Sequence, residues 1–135
     1  MCDAQVLVTT VKMEYVIMES SRIENSTMTI AKRETALREA IIKISGEMDA
    51  RGCKSLKTNI IEILDDMQAD YVSLDLSDVS FIDSSGIGSI VFMFKKLKAK
   101  NKHFQMVGVN GQPEDILRLL RVDKVIPMQV MNIEI

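Results

Sequence analysis

The stretch that decides the fold runs from Tyr71 to Lys100 and reads YVSLDLSDVSFIDSSGIGSIVFMFKKLKAK. Val72, Leu74 and Leu76 alternate with Ser73, Asp75 and Ser77. That is the spacing of a strand with one buried face. A short polar turn is expected next, after which Val79, Phe81 and Ile82 return to the core. Asp83-Ser84-Ser85-Gly86 then opens a helix, because Asp and Ser side chains accept from the free N–H groups of a first turn. Ile87, Ile90, Val91, Phe94 and Leu97 recur at helical spacing. Lys95, Lys96, Lys98 and Lys100 load the end of the helix with positive charge, where its dipole favours cations. Two serines therefore stand at the mouth of a helix, at the carboxyl end of a strand. In an open α/β sheet that edge is where ligands and partners bind.

Working outward, Met28–Lys32 and Ala40–Ser45 read as two strands joined by a turn near Thr35 to Arg38. The second ends in Gly46-Glu47-Met48-Asp49, whose Asp49 suits the cap of another helix. That helix carries Cys53, Leu56, Ile60, Ile63, Leu64 and Met67 on one face, with Lys54, Lys57, Glu62 and Asp66 toward water. Downstream, Asn101-Lys102 turns the chain into a strand, His103–Val109. Asn110-Gly111 is a turn signal, and Pro113, Glu114 and Asp115 suit the first turn of a third helix. Ile116, Leu117, Leu119 and Leu120 supply its apolar face. Val122 to Ile126 leads to a last strand-like segment, Met128 to Ile135. Alternating strands and helices predict an α/β fold, a single domain with a mixed sheet and helices packed against it. The domain is expected over residues 27–135. Residues 1–26 form an N-terminal extension in which Val6, Val8 and Val11, and then Tyr15 to Met18, hint at strands. An edge strand, a flexible arm and a cover for an apolar patch are all compatible with that extension.

The run D-L-S-D-V-S-F-I-D-S-S-G-I-G, from Asp75 to Gly88, resembles the signature of the STAS domain, the family of sulfate transporters and anti-sigma factor antagonists. Gly46-Glu47-Met48-Asp49 looks like the family's G-E-hydrophobic-D loop. The likeness runs from about Thr27 to Val125 and is strongest to the soluble bacterial antagonists. In that family the serine directly after the aspartate is phosphorylated, which here is Ser84. The resemblance implies a partner-switching regulator. Unphosphorylated, it binds an anti-sigma factor that is also a serine kinase, and so frees a sigma factor. The kinase ends that binding by modifying Ser84, and a metal-dependent serine phosphatase restores it. ATP and magnesium then belong to the kinase, and this chain needs no cofactor and no metal. The implied partner surface is Gly46, Glu47, Met48, Asp49, Asp83, Ser84, Ser85, Gly86, Ile87 and Gly88. Family members continue with a further helix after the last strand. Either such a helix is lacking here, or residues 1–26 take over the surface it would cover.

Bulk properties narrow the alternatives. A chain of 135 residues fits one domain with a proper core. Its net charge of −2 argues against nucleic acid as the main partner. No apolar run approaches the ~18 residues that would cross a bilayer. The opening MCDAQ lacks the basic stretch of a secretion signal, and Cys2 and Cys53 make no disulfide framework, so a reducing cytoplasm is the expected compartment. A monomer or weak dimer is expected. Most of the ten Met are expected to fill core gaps, while Met48 and Met93 could lend a soft contact surface.

Every site residue also has a plainer reading. Asp83, Ser84 and Ser85 suit a helix cap. Gly86 and Gly88 either let a backbone or a partner come close or serve tight packing of helix on sheet. Gly46 to Asp49 can be a plain strand–helix connection. Asp75, Asp78, Glu47 and Asp49 are expected at the same end of the sheet as Asp83. Enzyme chemistry finds no support: there is no G-x-S-x-G elbow, no phosphate-binding glycine loop and no zinc spacing, and the single histidine, His103, is expected to face solvent from a strand. The rival class is a binding module of the same fold outside sigma control, as in stress-sensing complexes, biofilm or secretion control, or lipid-transport assemblies.

Overall fold

The computed structural model describes residues 16–19 and 28–131. Among the described residues six strands form one sheet in sequential order: β1 (Val16–Glu19), β2 (Thr29–Glu34), β3 (Glu39–Met48), β4 (Tyr71–Ile82), β5 (His103–Val109) and β6 (Met128–Val130). β1, β2 and β3 pair antiparallel, and β3 to β6 run parallel, so the sheet is mixed as expected. The parallel strands are joined by α1 (Ala50–Asp65), α2 (Ser84–Ala99) and α3 (Gly111–Leu119), the last followed by a short 3₁₀ turn, Val122–Lys124. Because each right-handed crossover steps to the next strand in the same direction, the helices fall on one face of the sheet. Leu56, Ile60 and Leu64 of α1, Ile90, Met93 and Leu97 of α2, and Leu117 of α3 accordingly share one core with Ile42, Ile44, Leu74, Leu76 and Met106. On β4 and β5, the alternate positions carry polar side chains. There Gln105 Nε2 donates to Ser73 Oγ at 3.0 Å, and Gln129 Nε2 donates to Gln105 Oε1 at 3.3 Å.

Four expectations need correction. The polar turn in the middle of the deciding stretch is absent, and β4 runs unbroken for 12 residues. Its partner register steps from Lys43↔Asp75 to Ser45↔Asp78, and from Gly46↔Val79 to Glu47↔Phe81, so β4 carries an extra residue at two bulges. Each bulge shifts the phase of the alternation, which is why the buried positions pass from Leu76 to Val79 to Ile82 in steps of three. Phe81 is consequently turned out, 40% exposed, rather than into the core. Gly46, Glu47 and Met48 lie within β3 and are not a loop, because β3 stays paired as far as Met48↔Ile82. Met48 and Met93 offer no contact surface, as both are fully buried.

The candidate strand at Val6 to Val11 lies outside the described residues, whereas Val16–Glu19 does form β1 against β2. The last strand is shorter than expected, Met128–Val130, and the positions after Met131 lie outside the described residues. Met67 is buried beyond the end of α1.

Two contacts tie the amino ends of the parallel strands together. The Glu34 carboxylate is buried at the end of β2, where it accepts from Ala69 N at 2.8 Å and Gln68 N at 3.2 Å and pairs with Lys32 Nζ at 3.0 Å. At the β2–β3 turn the Arg38 guanidinium bonds Asp70 and the Gln68 carbonyl. The hydrogen bond from Arg38 holds the Asp70 carboxyl below its ordinary value. The help this pair gives is present above the ordinary carboxylate range and is lost as pH falls through the lowered value.

Replacing Glu34 with Ala would strand the Gln68 and Ala69 N–H groups beneath the surface. The expected loss is about 2–3 kcal/mol of unfolding free energy in urea titration, with Glu34→Gln losing less because an acceptor is kept.

Candidate partner surface at the paired helix mouths

The carboxyl ends of β3 and β4 lie side by side, at Met48 and Ile82, and a helix starts from each. Both starts use the same device. Asp49 caps α1, its Oδ1 accepting from Gly52 N at 2.8 Å. Asp83 caps α2, its Oδ1 accepting from Ser85 N at 2.8 Å and Gly86 N at 3.1 Å. Each cap has extended backbone and a short acceptor side chain, and a negative charge there also complements the helix dipole. Asp83 N further donates to the Met48 carbonyl at 3.3 Å, which ties the two mouths together.

The glycines are not equivalent. A Cβ on Gly86 would stand 2.6 Å from the Met48 carbonyl oxygen and 2.7 Å from Ile82 Cγ2, so α2 rests on the sheet through bare backbone. Gly52 does the same for α1, where a Cβ would meet Met28 Cβ and Sδ at 2.9 Å. For Gly86 the packing reading therefore holds, and being buried it presents nothing to a partner. Gly88 is exposed, and a Cβ there would meet nothing within 4 Å. Packing does not require that glycine. Gly46 has φ of 98°, a left-handed backbone that permits the bulged register beside it.

Ser84 is exposed, at the first position of α2. Since the Asp83 carboxylate already takes the free N–H groups, capping leaves the Ser84 hydroxyl no task. Ser85 and Ile87 are half-buried, and Ile87 packs against the core. Glu47 is exposed beside its cross-strand partner Phe81. Asp83 and Ser85 flank Ser84, Gly88 lies one turn on and Asp49 stands at the neighbouring mouth, while Glu47 and Phe81 are exposed at the strand ends and Met48 is withdrawn into the core. Asp75 and Asp78 do not join it in the way expected. They sit earlier on β4, with Lys43 Nζ 3.7 and 3.1 Å away respectively.

Sequence reasoning passed over two features. Gln112, near the start of α3, clasps the backbone of Ile82 with both ends of its amide: Ile82 N donates to Oε1 at 2.8 Å and Nε2 donates to the Ile82 carbonyl at 2.9 Å. This clasp holds the last residue of β4 before the site, and no local motif announces it. The other is a groove of about 440 Å³ between α1 and α2, lined by Ala50, Cys53, Ile60, Ser85, Gly88 and Phe92. The Cys53 thiol on its wall forms no disulfide, and burial pushes its pKa up although a hydrogen bond with Ser89 opposes the shift. His103 is exposed at the amino end of β5, stacked on Tyr71 with ring centroids 4.7 Å apart. Among the described residues no group of three His, Cys, Asp or Glu side chains could hold a metal ion, and no helix is long and apolar enough to cross a membrane.

Comparison with known proteins agrees with this geometry. The STAS domain family matches residues 28–132. The anti-sigma F factor antagonist of Paenibacillus polymyxa is 26% identical over 88 residues, covering 65% of this chain and 75% of that protein. An anti-sigma factor antagonist from Mycobacterium paratuberculosis has a crystal structure that superposes with a TM-score of 0.68 at 23% identity, over 76% of this chain and 86% of that one. The Bacillus cell fate determinant SpoIIAA, solved in its phosphorylated form, gives a TM-score of 0.56 at 14% identity, over 73% and 89% of the two chains.

The two helix glycines make opposite demands on a substitution. Gly86→Ala is expected to cost about 1–3 kcal/mol through the clash with Met48 and Ile82. Gly88→Ala is expected to add about 0.5–1 kcal/mol, because glycine is a poor residue in a helix interior. Thermal or urea unfolding of the two variants beside the parent checks both signs.

Proposed function

The chain belongs to the STAS domain family, and we propose that it is a partner-switching regulator controlled at Ser84. The observation that carries this reading is the exposed Ser84 hydroxyl on a helix mouth whose capping is already done by Asp83. In the unmodified state the surface around Ser84 binds an anti-sigma factor that is also a serine kinase, and a sigma factor is released. The kinase moves the γ-phosphoryl group of ATP to Ser84 Oγ. The bond to the ADP oxygen breaks, the Oγ–P bond forms and the hydroxyl proton leaves. A metal-dependent phosphatase hydrolyses the ester and resets the protein. All of this takes place in the cytoplasm.

The physical effect is one of charge. A phosphoserine adds about −1.5 to −2 charges at neutral pH. At the start of α2 such an anion is tolerated by the helix dipole, so the fold is kept. The phosphorylated SpoIIAA structure, with the same fold, is in line with that. What changes is the surface. A dianion beside Asp83 repels an acidic partner patch and must be desolvated by an apolar one. A difference of about 3 kcal/mol from these terms is a change of roughly a hundredfold in affinity, enough for a switch with no catalysis by this chain.

Incubation with the cognate kinase and ATP, followed by mapping of the modified residue, tests the assignment. Ser84→Ala is expected to stay unmodified and to bind the kinase constitutively, and Ser84→Asp to bind about tenfold or more weakly. Equal affinity of parent, Ala and Asp forms would refute the switch.

A further inference from the structure

A glycine inside a helix costs stability, yet Gly88 sits in α2 with open space where its side chain would be. The groove between α1 and α2 shows what that space is part of. Its floor is apolar, made by Ala50, Cys53, Ile60 and Phe92, and Phe92 remains 36% exposed. Its rims are basic. Lys54 and Lys57 stand along the α1 side, and neither is drawn into an ion pair with another described residue. On the α2 side Lys96 lies over the Phe92 ring, 5.9 Å from its centroid. The floor spans Ser85 to Phe92 on one helix and Ala50 to Ile60 on the other, which at 1.5 Å per residue is about 10–15 Å, two to three turns of a third helix.

We infer that this groove seats an amphipathic helix of the partner protein whose apolar stripe is flanked by Asp and Glu. The inference rests on the partner-switching reading and names the chemistry of the partner. An apolar floor beside Lys54 and Lys57, with Lys96 over Phe92, complements an apolar stripe flanked by carboxylates. Gly88 lets the backbone of that helix come close, where any side chain would hold it off. Ser85, next to Ser84, lies at the mouth of the groove. A phosphate on Ser84 therefore adds its charge at the end of an acidic helix lying between α1 and α2. Repulsion follows without any movement of the domain, which ties the place of modification to the place of docking.

The test uses the full chain, isotope-labelled, and two synthetic helical peptides of about four turns. One has Leu at three- and four-residue spacing flanked by Glu; the other has Lys in place of every Glu. The Glu peptide is expected to shift amide resonances of Cys53 to Ile60 and Ser85 to Phe92, and to bind about tenfold more tightly than the Lys peptide. The double change Lys54→Glu with Lys57→Glu is expected to remove that preference or reverse it. Gly88→Gln is expected to weaken the Glu peptide about tenfold while the melting temperature does not fall. Equal binding of the two peptides, no binding of either, or shifts confined to other elements would overturn the groove assignment. Ser84→Asp separates the two proposals. If Ser84→Asp binds the kinase as tightly as the parent while the Glu peptide still occupies the groove, the groove stands and the switch at Ser84 fails. If Ser84 is phosphorylated and kinase binding is lost while the groove ignores the Glu peptide, the switch stands and the groove fails.

Discussion

The contact between Gly86 and the end of β3 sets the position of everything around the site. With the Met48 carbonyl oxygen lying where a Cβ would be, 2.6 Å from it, α2 can sit at that height only with a bare backbone. Gly52 gives α1 the same close seat on Met28. Two helices held this tightly at their first turns leave little freedom in the direction of their N-termini. Ser84 is thereby fixed in the open, and α1 and α2 are brought near enough to form a groove but not to close it. Interiors are packed densely enough that such a contact transmits position rather than absorbing it.

The electrostatics of the two mouths follow from the same geometry. Asp49 and Asp83 are the carboxylates nearest the helix starts, and both are committed to backbone N–H groups. Their charge is largely answered by the helix ends they cap. The lysines along the groove have no such obligation. The groove thus sets lysines along α1 beside the capping aspartates at its mouth, although the whole chain carries a net charge of only −2. A net figure of that size says little about what a partner meets locally.

Much of the fold was legible because periodicity and caps are local signals. The alternation of Val72, Leu74 and Leu76, the stripe from Ile90 to Leu97, and the aspartates before α1 and α2 all predict what is found. The failures on β3 and β4 share one cause. Bulges in β4 come from its register with β3, and register is a property of two strands that neither spells out alone. Phe81 looked like a core residue for that reason, and Ser77-Asp78 looked like part of a turn. Met48 looked like a surface because Gly-Glu-Met-Asp resembles the family's loop, yet pairing with Ile82 keeps it in the sheet. At the site, the motif pointed to Ser84 and its neighbours. The difference between Gly86 and Gly88 depends on what lies across from each in space, and so does the grip of Gln112 on Ile82.

The position of His103 has a consequence for time. The only imidazole in the sequence stands at the amino end of β5 against Tyr71, whereas α2 begins at the carboxyl end of β4. A phosphate ester on Ser84 would have no neighbouring imidazole to speed its own breakdown. Phosphate monoesters are among the slowest of all bonds to hydrolyse unaided. The mark would behave as a stored bit with no internal clock. How long a cell remembers a signal would then be decided by when an eraser arrives, and the lifetime of the record could be tuned without altering the chain that carries it.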